Sequence, residues 1–520
     1  MYNVLISLYR SSLTPHVADT SFSLSSTMPP IRSNDHSDIL IISSDDEDST
    51  LVPSTQASTR GLFVDSALSP LTEIEDDVDD SASQLPVKQA RFSRSSRKFY
   101  RESLPAPIRA RRKPSMSDPS SPQSETITVN GHVLTPTIVF DTFWRWCAER
   151  KSIDDRRRAG EPFPWTQDEI MQTKFFCNTY RVLDKTSQYI ITQVIQKGSQ
   201  EPVEIVFRVV LFNIFTRIET WQWLEKRLGS ITWKDYSQEN YMNVLEERAQ
   251  THTLYTGAFQ SPGPKWDYPE TFKNHLLLLE TIMHNDLAGK LQKFKSMEKA
   301  YAFIASFPSM GDFKSYQLLL NLSYSSVINF SGNDFVVPGI GAVSGLGKMF
   351  GKSIENAAKV DPNIRIAVIR YMMETQQQHF RRLGLQLSGL GPNRLPMELA
   401  DIEHAICEVD KYARKAHPWI VDNKNGRSEL RRKWTPSSDP YPATPVLPKA
   451  WSHARRNITR RCDRMPSVQK RWAVEKIVTH RVFRGRTECN VHWYGYSAKD
   501  DTWEPVETLF EDTPEIVDDY

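Results

Sequence analysis

Near its C-terminus the chain reads Trp472-Ala473-Val474-Glu475-Lys476-Ile477-Val478, a run rich in β-branched and aromatic residues that predicts a strand. Arg484-Gly485-Arg486 predicts a turn, and residues 487–493 predict a second strand. Thr502-Trp503-Glu504-Pro505 predicts a third strand, and residues 514–520 predict a short terminal helix. Residues 470–520 are therefore expected to form a small domain with a three-stranded sheet and one helix.

This order of elements, with Trp493-Tyr494-Gly495-Tyr496 and Asp501-Thr502-Trp503-Glu504-Pro505, resembles the chromodomain of heterochromatin proteins. The resemblance implies a nuclear protein that binds a histone tail with a methylated lysine. It places the methyl-lysine cage on Trp472, Trp493 and Tyr496, with Trp472 in place of the more usual tyrosine, and Trp503 in the core. Trimethyl-lysine keeps its charge without N–H donors, so aromatic faces recognise it. The alternative is a chromodomain-like fold that binds RNA or a shadow-type partner.

The N-terminal tail differs in composition from the rest of the chain. Residues 1–130 are rich in Ser, Pro, Thr and charge, acidic first and then basic, and are expected to be disordered. Residues 38–48, an Ile-Leu run followed by acidic residues, resemble a SUMO-interacting motif; the alternative is a chance apolar patch. The first 27 residues have a composition similar to a transit peptide, but we favour translation from Met28.

The cysteines and apolar runs limit the class of protein. Five widely spaced cysteines indicate a reducing compartment, and no Cys/His cluster has zinc spacing, so no metal is expected. No apolar run approaches the roughly 20 residues of a membrane span, so no membrane partner is expected. Residues 416–466 combine many prolines with Arg and Lys and predict a stiff, basic linker.

Residues 137–415 have a globular composition and helical apolar spacing. The spacing recurs in five places, at Phe140, Phe143, Trp144 and Cys147, through Val206, Val209, Val210, Ile214 and Ile218, and in residues 275–283, 364–373 and 402–409. Strand-like alternation is scarce there. The sequence therefore predicts a mainly α domain.

Polar clusters lie among these apolar residues. Asn178, Arg181 and Lys185 are expected to share one helix face, with Asp184 on the adjoining stripe. Two further clusters are Arg208, Asn213, Arg217 and Glu219, and Asp401, Glu403, His404, Cys407, Glu408, Lys411 and Tyr412. Such residues usually form solvated faces or ion pairs, yet charge embedded among aromatic residues often marks a site.

The segment Phe307-Pro308-Ser309-Met310-Gly311-Asp312-Phe313-Lys314 resembles the hairpin of helix-hairpin-helix DNA glycosylases. The resemblance implies DNA binding through Ser309, Met310, Gly311 and Lys314, and a catalytic carboxylate at Asp334, which follows Gly311 by 23 residues. Ser309 replaces the usual first glycine. Phe313 stands where lyase-type enzymes have their Schiff-base lysine, so lyase chemistry is in doubt.

A glycine-rich stretch follows, with Gly339, Gly341 and Lys348 as candidate phosphate-binding residues. The spacing of a nucleotide-binding P-loop is not met, because Leu346 and Ala342 stand five residues before Gly351 and Gly347. A flexible loop is the alternative.

Several separate segments resemble one family, the helical domain of 5-hydroxymethyluracil DNA kinases and the related glutamyl/putrescinyl-thymine pyrophosphorylases of phage. They are Pro164-Trp165-Thr166, Cys177-Asn178-Thr179-Tyr180-Arg181, Asp334-Phe335, Pro338-Gly339-Ile340-Gly341 and residues 403–412. That family also occurs in fungi, sometimes joined to chromodomains. The resemblance implies a glycosylase-like fold that acts on a modified thymine in double-stranded DNA.

With this resemblance, the catalytic residues are expected to be Asp334, Asn178 and Arg181, and Arg217 is expected to hold DNA. Glu403, His404 and Lys411 form a second candidate set. The expected reaction is phosphoryl or group transfer to a flipped hydroxylated thymine. The cofactor stays open, since without a P-loop either ATP is not used, or a partner provides ATP and magnesium, or the domain only binds DNA. The alternatives are a monofunctional glycosylase, or a non-enzymatic scaffold that reads methyl-lysine and DNA together.

Overall fold

The structure is a computed structural model that describes residues 5–6, 126–257, 263–266, 268–420, 434–436, 441–494, 496–512 and 514–520. Most of the predicted disordered tail, including the SUMO-type motif at 38–48, lies outside these residues. The described part is mainly helical with a small C-terminal sheet, which confirms the predicted fold class. Among the described residues no helix combines the length and apolarity needed to cross a bilayer.

The elements follow the order predicted from apolar spacing, with more interruptions than the spacing showed. The strands are β1 (Leu5–Ile6), β2 (Ile127–Val129), β3 (His132–Leu134), β4 (Trp472–Phe483), β5 (Arg486–Trp493) and β6 (Thr502–Pro505). The helices are α1 (Ile138–Arg158), α2 (Glu169–Thr173), α3 (Lys185–Tyr189), α4 (Pro202–Phe215), α5 (Ile218–Leu228), α6 (Gln238–Ala249), α7 (Thr271–His284), α8 (Leu287–Lys293), α9 (Met297–Ser306), α10 (Asp312–Leu322), α11 (Ile340–Phe350), α12 (Lys352–Val360), α13 (Ile364–Arg382), α14 (Leu399–Ala416), α15 (Val506–Asp512) and α16 (Pro514–Asp519). A π-helix, Ile190–Ile195, continues α3.

The hairpin of β2 and β3 begins the ordered domain, before the boundary predicted at 137. Its turn is Asn130-Gly131, and both residues have positive φ, 49° and 77°. Two such residues give a hairpin the twist that matches its strands. The hairpin packs on α12 and α13, so the helical domain includes residues on its N-terminal side that composition assigned to the tail.

Two helices lie at the centre of the helical domain. Helix α14 packs against α1, α11 and α13, and α4 packs against α7, α8, α10 and the π-helix. The predicted apolar residues Phe140, Phe143, Trp144 and Cys147 are all buried on α1. The apolar run predicted to continue to Ile218 instead spans two helices, because Thr216 adopts a left-handed conformation that ends α4.

Helices α11 and α14 approach unusually closely because glycines lie between them. A Cβ atom at Gly341 would lie 2.9 Å from Cys407 Sγ, and one at Gly345 would lie 2.7 Å from the carbonyl oxygen of Ile406. Neither position has room for a larger side chain. The glycine-rich stretch is therefore a helix-packing surface and not the flexible loop considered as an alternative.

The predicted linker packs on the helical domain over its described residues. Tyr441 donates to Asp154 Oδ1 at 2.7 Å, and the Met465 N–H donates to Asn363 Oδ1 at 3.0 Å. Composition predicted a stiff spacer, but tyrosine and tryptophan side chains in this segment give it an apolar surface to bury. Residues 441–466 are thus part of the domain surface.

The C-terminal domain is the predicted antiparallel sheet, with order β4-β5-β6 and β1 added beside β4. The turn joining β4 and β5 is Arg484-Gly485, both with positive φ. Two helices, α15 and α16, follow the sheet, and α16 lies where the terminal helix was predicted. Trp503, expected in the core, is half-buried, and the Arg481 guanidinium lies over its ring at 4.1 Å.

Candidate functional site

Helix α14 gathers the polar residues of the third sequence cluster. It begins with a capping box, in which the side chains of Glu398 and Asp401 each accept from the other's backbone N–H. Glu403 and Glu408 are buried on this helix although each carries a carboxylate. Buried carboxylates must find donors, and most of those donors come from the loop before α3 and from the start of α11.

Asn178, Arg181 and Lys185 were predicted to share one helix face, but in the structure they do not. Residues 175–178 are extended, Arg181–Leu183 form a 3-10 turn, and only Lys185 is in α3. Asp184 Oδ1 accepts from the Asn178 N–H at 2.6 Å, and Asn178 Nδ2 donates to the Leu183 carbonyl at 3.0 Å. Asn and Asp side chains compete in this way with helical backbone bonds. Asn178 therefore fixes the loop.

Arg181 points its guanidinium at neutral acceptors. One nitrogen, Nη2, donates to Gln317 Oε1 at 2.9 Å and to Asn321 Oδ1 at 2.7 Å, and Nη1 donates to the Tyr324 hydroxyl. Among the described residues this guanidinium bonds to no carboxylate, so its charge is held in place without direct neutralisation. Such a guanidinium suits a phosphate or another anion.

The carboxylates of α14 respond to burial in opposite ways. Burial raises the pKa of Asp401 to about 7, helped by Glu398. Burial also raises the pKa of Glu403. Burial alone would raise that of Glu408, but Lys411, at 2.8 Å, and His404 outweigh it and lower the pKa. One helix thus carries both a carboxyl group whose pKa is lowered and carboxyl groups whose pKa is raised.

Cys177, Asp184 and His404 meet beside these carboxylates. One ligand atom from each lies within 4.8 Å of the others. His404 Nε2 is 3.2 Å from Asp184 Oδ2. Burial alone would lower the pKa of His404, but Asp184 and Cys177 together outweigh it and raise the pKa well above its ordinary value. Burial, with Glu408, raises the pKa of the Cys177 thiol. Sequence spacing missed this group because its members are distant in the chain.

The predicted phosphate-binding residues are occupied by protein groups. The Gly339 N–H, at the start of α11, donates to Glu403 Oε1 at 2.9 Å. The Lys348 ammonium is buried and contacts Asp410 Oδ1 at 2.6 Å. Gly341 packs against Cys407. Because a carboxylate already occupies the positive end of α11, this arrangement does not fit the predicted phosphate site.

Asp334 is fully buried beneath the linker. Its Oδ1 accepts from the Arg460 N–H at 2.6 Å, and its carbonyl accepts from Arg370 Nη2 at 3.0 Å and the Cys462 N–H at 2.9 Å. Oδ2 has no hydrogen-bond partner among the described residues. Burial raises the pKa of Asp334 to about 6. Residues 460–462 therefore cover this carboxyl group in the structure.

Linker residues also close a small cavity beside Arg181. A space of about 30 Å³, enough for one water molecule, is lined by Arg181, Tyr324, Asp401, Trp451 and Arg456 among others. The Arg456 guanidinium lies 4.3 Å from the ring centroid of Trp451 and donates to Glu398 Oε2 at 2.6 Å. Both residues belong to the linker, so this segment covers Arg181 as well as Asp334.

The predicted DNA-binding hairpin joins α9 to α10. Ser309 has φ 55°, the left-handed conformation for which the family uses glycine. Met310 is buried. Lys470 Nζ donates to the carbonyls of Ala305 and Met310, both at 2.9 Å, and the Arg471 N–H donates to Ser306. Residues 470–471, at the start of the chromodomain, therefore donate hydrogen bonds to backbone carbonyls of the hairpin and of the end of α9.

Of two cations predicted to contact DNA, Lys314 is buried and Arg217 is paired with a carboxylate. The Lys314 ammonium is buried with no partner among the described residues, and burial lowers its pKa to about 8. Arg217 contacts Glu219 Oε2 at 3.1 Å. Lys314 in this state does not fit the predicted phosphate contact, because a phosphate cannot reach a buried ammonium.

The three cage residues lie close together in the C-terminal domain. The rings of Trp472 and Tyr496 are 5.6 Å apart and nearly perpendicular, at 80°. Trp493 is only 5% exposed, belongs to the core, and donates from Nε1 to Thr502 Oγ1 at 3.0 Å. Trp472 and Tyr496 are thus accessible, whereas Trp493 supports the fold.

The model of the 5-hmdU DNA kinase helical domain matches residues 137–422, more than half of the chain. The chain belongs to this family. The chromodomain model matches residues 472–520. Both matches confirm the predicted resemblances.

Two curated proteins show how far the likeness extends. The 5-hmdU DNA kinase of Bacillus phage SP10 is 23% identical over 297 residues, covering 54% of this chain and 45% of the phage protein. The chromo domain-containing protein cec-3 of Caenorhabditis elegans is 47% identical over 47 residues, covering 9% of this chain and 14% of that protein. The chain therefore spans less than half of either relative. No solved structure matches it significantly.

Four of the five segments that carried the resemblance to the kinase helical-domain family converge in space, whereas the Asp334 carboxylate lies beneath the linker. The Cys177–Arg181 loop, the start of α11 and the 403–412 part of α14 share direct hydrogen bonds, such as Cys177 N–H to Glu408 Oε2 at 3.1 Å. Pro164-Trp165-Thr166 joins them indirectly, since Tyr412 donates to Asp168 Oδ2 at 2.6 Å. Glu403, His404 and Lys411, predicted as a secondary set, lie at the centre of this cluster.

Proposed function

We propose that this protein is a chromatin-targeted DNA-binding protein that modifies a hydroxylated thymine of the 5-hydroxymethyluracil type. Its helical domain performs phosphoryl or group transfer on a flipped base, and its chromodomain binds a methylated histone lysine in the nucleus. The observation that carries the proposal is the convergence of the family's segments on one buried polar cluster beside Arg181. The phage relative is named as a kinase of 5-hmdU in DNA.

The base must leave the duplex because its reactive exocyclic group is enclosed by stacked neighbours. The hairpin at Ser309–Gly311 would hold a backbone phosphate through its N–H groups. Arg181, whose guanidinium bonds only to neutral acceptors among the described residues, would hold the anionic part of the substrate or of the transition state. Asn178 would act by holding the loop that carries Arg181.

Asp334 would serve as the catalytic carboxylate, accepting the proton of the hydroxymethyl group as transfer proceeds. A pKa near 6 leaves it largely ionised at neutral pH and still able to accept a proton. Because residues 460–462 cover it, we expect the linker to be displaced when DNA binds. Glu403, His404 and Lys411 would position the second side of the site.

The phosphoryl donor would be ATP with magnesium, presented by a partner protein. The sequence between Gly339 and Ser353 lacks P-loop spacing, and the candidate phosphate contacts Gly339 and Lys348 are bound to carboxylates. The chain covers 45% of the phage kinase, so the remaining part of that kinase has no counterpart in this match.

The test uses the full chain with duplex DNA that contains 5-hydroxymethyluracil, with and without ATP, magnesium and nuclear extract. Nucleoside mass spectrometry of the digested DNA reports the product. We expect a mass gain on the modified base, lost in Arg181→Met and in Asp334→Asn but retained in Arg365→Met. Arg365 is a suitable control because it pairs with Glu355 on the surface of α13. An unchanged base in every condition would refute the transferase proposal.

A monofunctional glycosylase is the second candidate, favoured by one observation. The hairpin keeps the left-handed residue of DNA glycosylases at Ser309, and a buried aspartate follows it at Asp334. The same experiment separates the two, because a glycosylase would release the free base and leave an abasic site. Tight DNA binding with no chemistry would instead indicate the scaffold.

The chromodomain proposal rests on the two accessible aromatic walls of Trp472 and Tyr496. The edge of β4 at Trp472–Ala473 already pairs antiparallel with β1, so this edge accepts an extended strand. A histone tail would bind in the same way and place its methylated lysine between the two rings. Binding of trimethylated and unmodified histone peptides, measured by calorimetry, tests this directly.

A further inference from the structure

We infer that Cys177, Asp184 and His404 form a binding site for one zinc-type divalent ion, an inference argued from these three residues and not from the transfer reaction proposed above. The three residues come from an extended loop, the residue before α3, and helix α14. One ligand atom of each lies within 4.8 Å of the others. A thiol, an imidazole and a carboxylate are the three ligand types that zinc prefers in proteins.

The distances fit an ion placed between the three side chains. Zinc bonds of roughly 2.0–2.3 Å at tetrahedral angles put neighbouring ligand atoms about 3.3–3.6 Å apart. His404 Nε2 and Asp184 Oδ2 are 3.2 Å apart, and Nε2 has no partner with hydrogen-bond geometry among the described residues. Two ligand atoms that are this close but not aligned for a hydrogen bond can both face one metal ion. A rotamer adjustment of Cys177 would complete the triangle.

Neighbouring groups hold two of the ligands before any ion binds. Asp184 Oδ1 accepts from the Asn178 N–H at 2.6 Å, which leaves Oδ2 to face His404. The Cys177 backbone N–H donates to Glu408 Oε2 at 3.1 Å, and Glu408 is neutralised by Lys411. Outer contacts of this kind orient metal ligands and support metal affinity.

Charge balance also favours a divalent cation. A thiolate and a carboxylate together carry two negative charges, which one divalent ion neutralises while the imidazole stays uncharged. The side chains of His404 and Asp184 are 19% and 18% exposed, and His404 Nε2 itself is buried, so the site lies just beneath the protein surface. Three protein ligands leave the fourth tetrahedral position open, as in zinc sites that bind water or a substrate oxygen.

The competing interpretation is a hydrogen-bonded relay in which Cys177 acts as a nucleophile. A relay would leave the thiol open to alkylation whether or not metal is present, whereas a metal ligand is protected only when metal is bound. Iodoacetamide labelling of Cys177, located by peptide mass spectrometry with and without zinc, therefore separates the two.

The main test measures metal binding by the full chain without DNA, so its result is independent of the proposed function. After chelation and dialysis, the protein is titrated with Co²⁺ and then with Zn²⁺. We expect one Co²⁺ per chain, a thiolate-to-cobalt charge-transfer band in the near ultraviolet, and displacement by Zn²⁺. Elemental analysis of the zinc-loaded protein should give one zinc per chain.

Variants locate the site. Cys177→Ser should remove the charge-transfer band, and His404→Gln should weaken cobalt binding at least tenfold. Cys462→Ser is the matched control, because Cys462 lies in the linker, is not one of the three proposed ligands, and donates from Sγ to the Arg464 carbonyl. Absence of a thiolate band in the unmodified protein, or its persistence in Cys177→Ser, would overturn the inference. The first of these outcomes does not depend on whether a variant folds.

Discussion

Arg370 of α13 is the most informative single residue for the stability of the covered site. It is 2% exposed, and its guanidinium donates to the carbonyls of Asn333 at 2.8 Å and Asp334 at 3.0 Å. It also pairs with Asp463 of the linker. One side chain therefore holds the Asp334 segment and the segment that covers it.

Replacing Arg370 with Met keeps most of the side-chain volume but removes three charge-assisted hydrogen bonds. Each such bond contributes about 1.5–3 kcal/mol, and two buried carbonyls lose their donor. Asp463 is 25% exposed and water can hydrate its carboxylate in the variant, so loss of the Arg370–Asp463 ion pair destabilises the fold less. We expect Arg370→Met to lower the free energy of unfolding by about 3–5 kcal/mol, the range for breaking a buried ion pair.

The matched control is Arg365→Met on the same helix. Arg365 contacts Glu355 at 3.0 Å, and the two side chains are 19% and 38% exposed. Pairs of this kind contribute about 0.2–1 kcal/mol. Urea unfolding followed by circular dichroism measures both variants, and the reaction rate of the Cys462 thiol reports release of the linker. Equal losses in the two variants, or no rise in thiol reactivity for Arg370→Met, would show that Arg370 does not hold the linker.

Three further predictions concern single residues. Tyr496→Ala should abolish binding of trimethylated histone peptide without unfolding the domain, whereas Trp493→Ala should lower both affinity and the domain's melting temperature; calorimetry with circular dichroism distinguishes them. Lys348→Met should destabilise the helical domain, because it removes the ammonium that lies 2.6 Å from Asp410. The salt dependence of DNA binding should stay unchanged, and a smaller salt dependence in the variant would show that Lys348 contacts a DNA phosphate. The pKa of Asp401, raised by burial from 3.8 to about 7, means that its favourable contribution is complete below pH 3.8 and is lost as pH rises through 7. Asp401→Asn should therefore flatten the dependence of stability on pH across that window, and an unchanged slope would contradict the shift.

The sequence by itself determined the local elements and the family. Apolar spacing placed α1, α4, α7, α13 and α14, because a buried stripe must recur with the helical period whatever the helix packs against. The aromatic and turn residues of 472–505 determined the chromodomain sheet for a similar reason. Short-range patterns of this kind need no knowledge of distant residues.

Only the tertiary structure decided which polar residues work together. Spacing predicted a helix at Asn178, but the Asn178 N–H donates to the Asp184 carboxylate, which is incompatible with a continuous helix here. Lys348 looked like a phosphate ligand, yet Asp410, 62 residues later, binds its ammonium. Cys177 and His404 meet although neither has a ligand neighbour in sequence. A charge is free or paired according to what the fold brings within hydrogen-bond distance, and spacing along the chain does not contain that information.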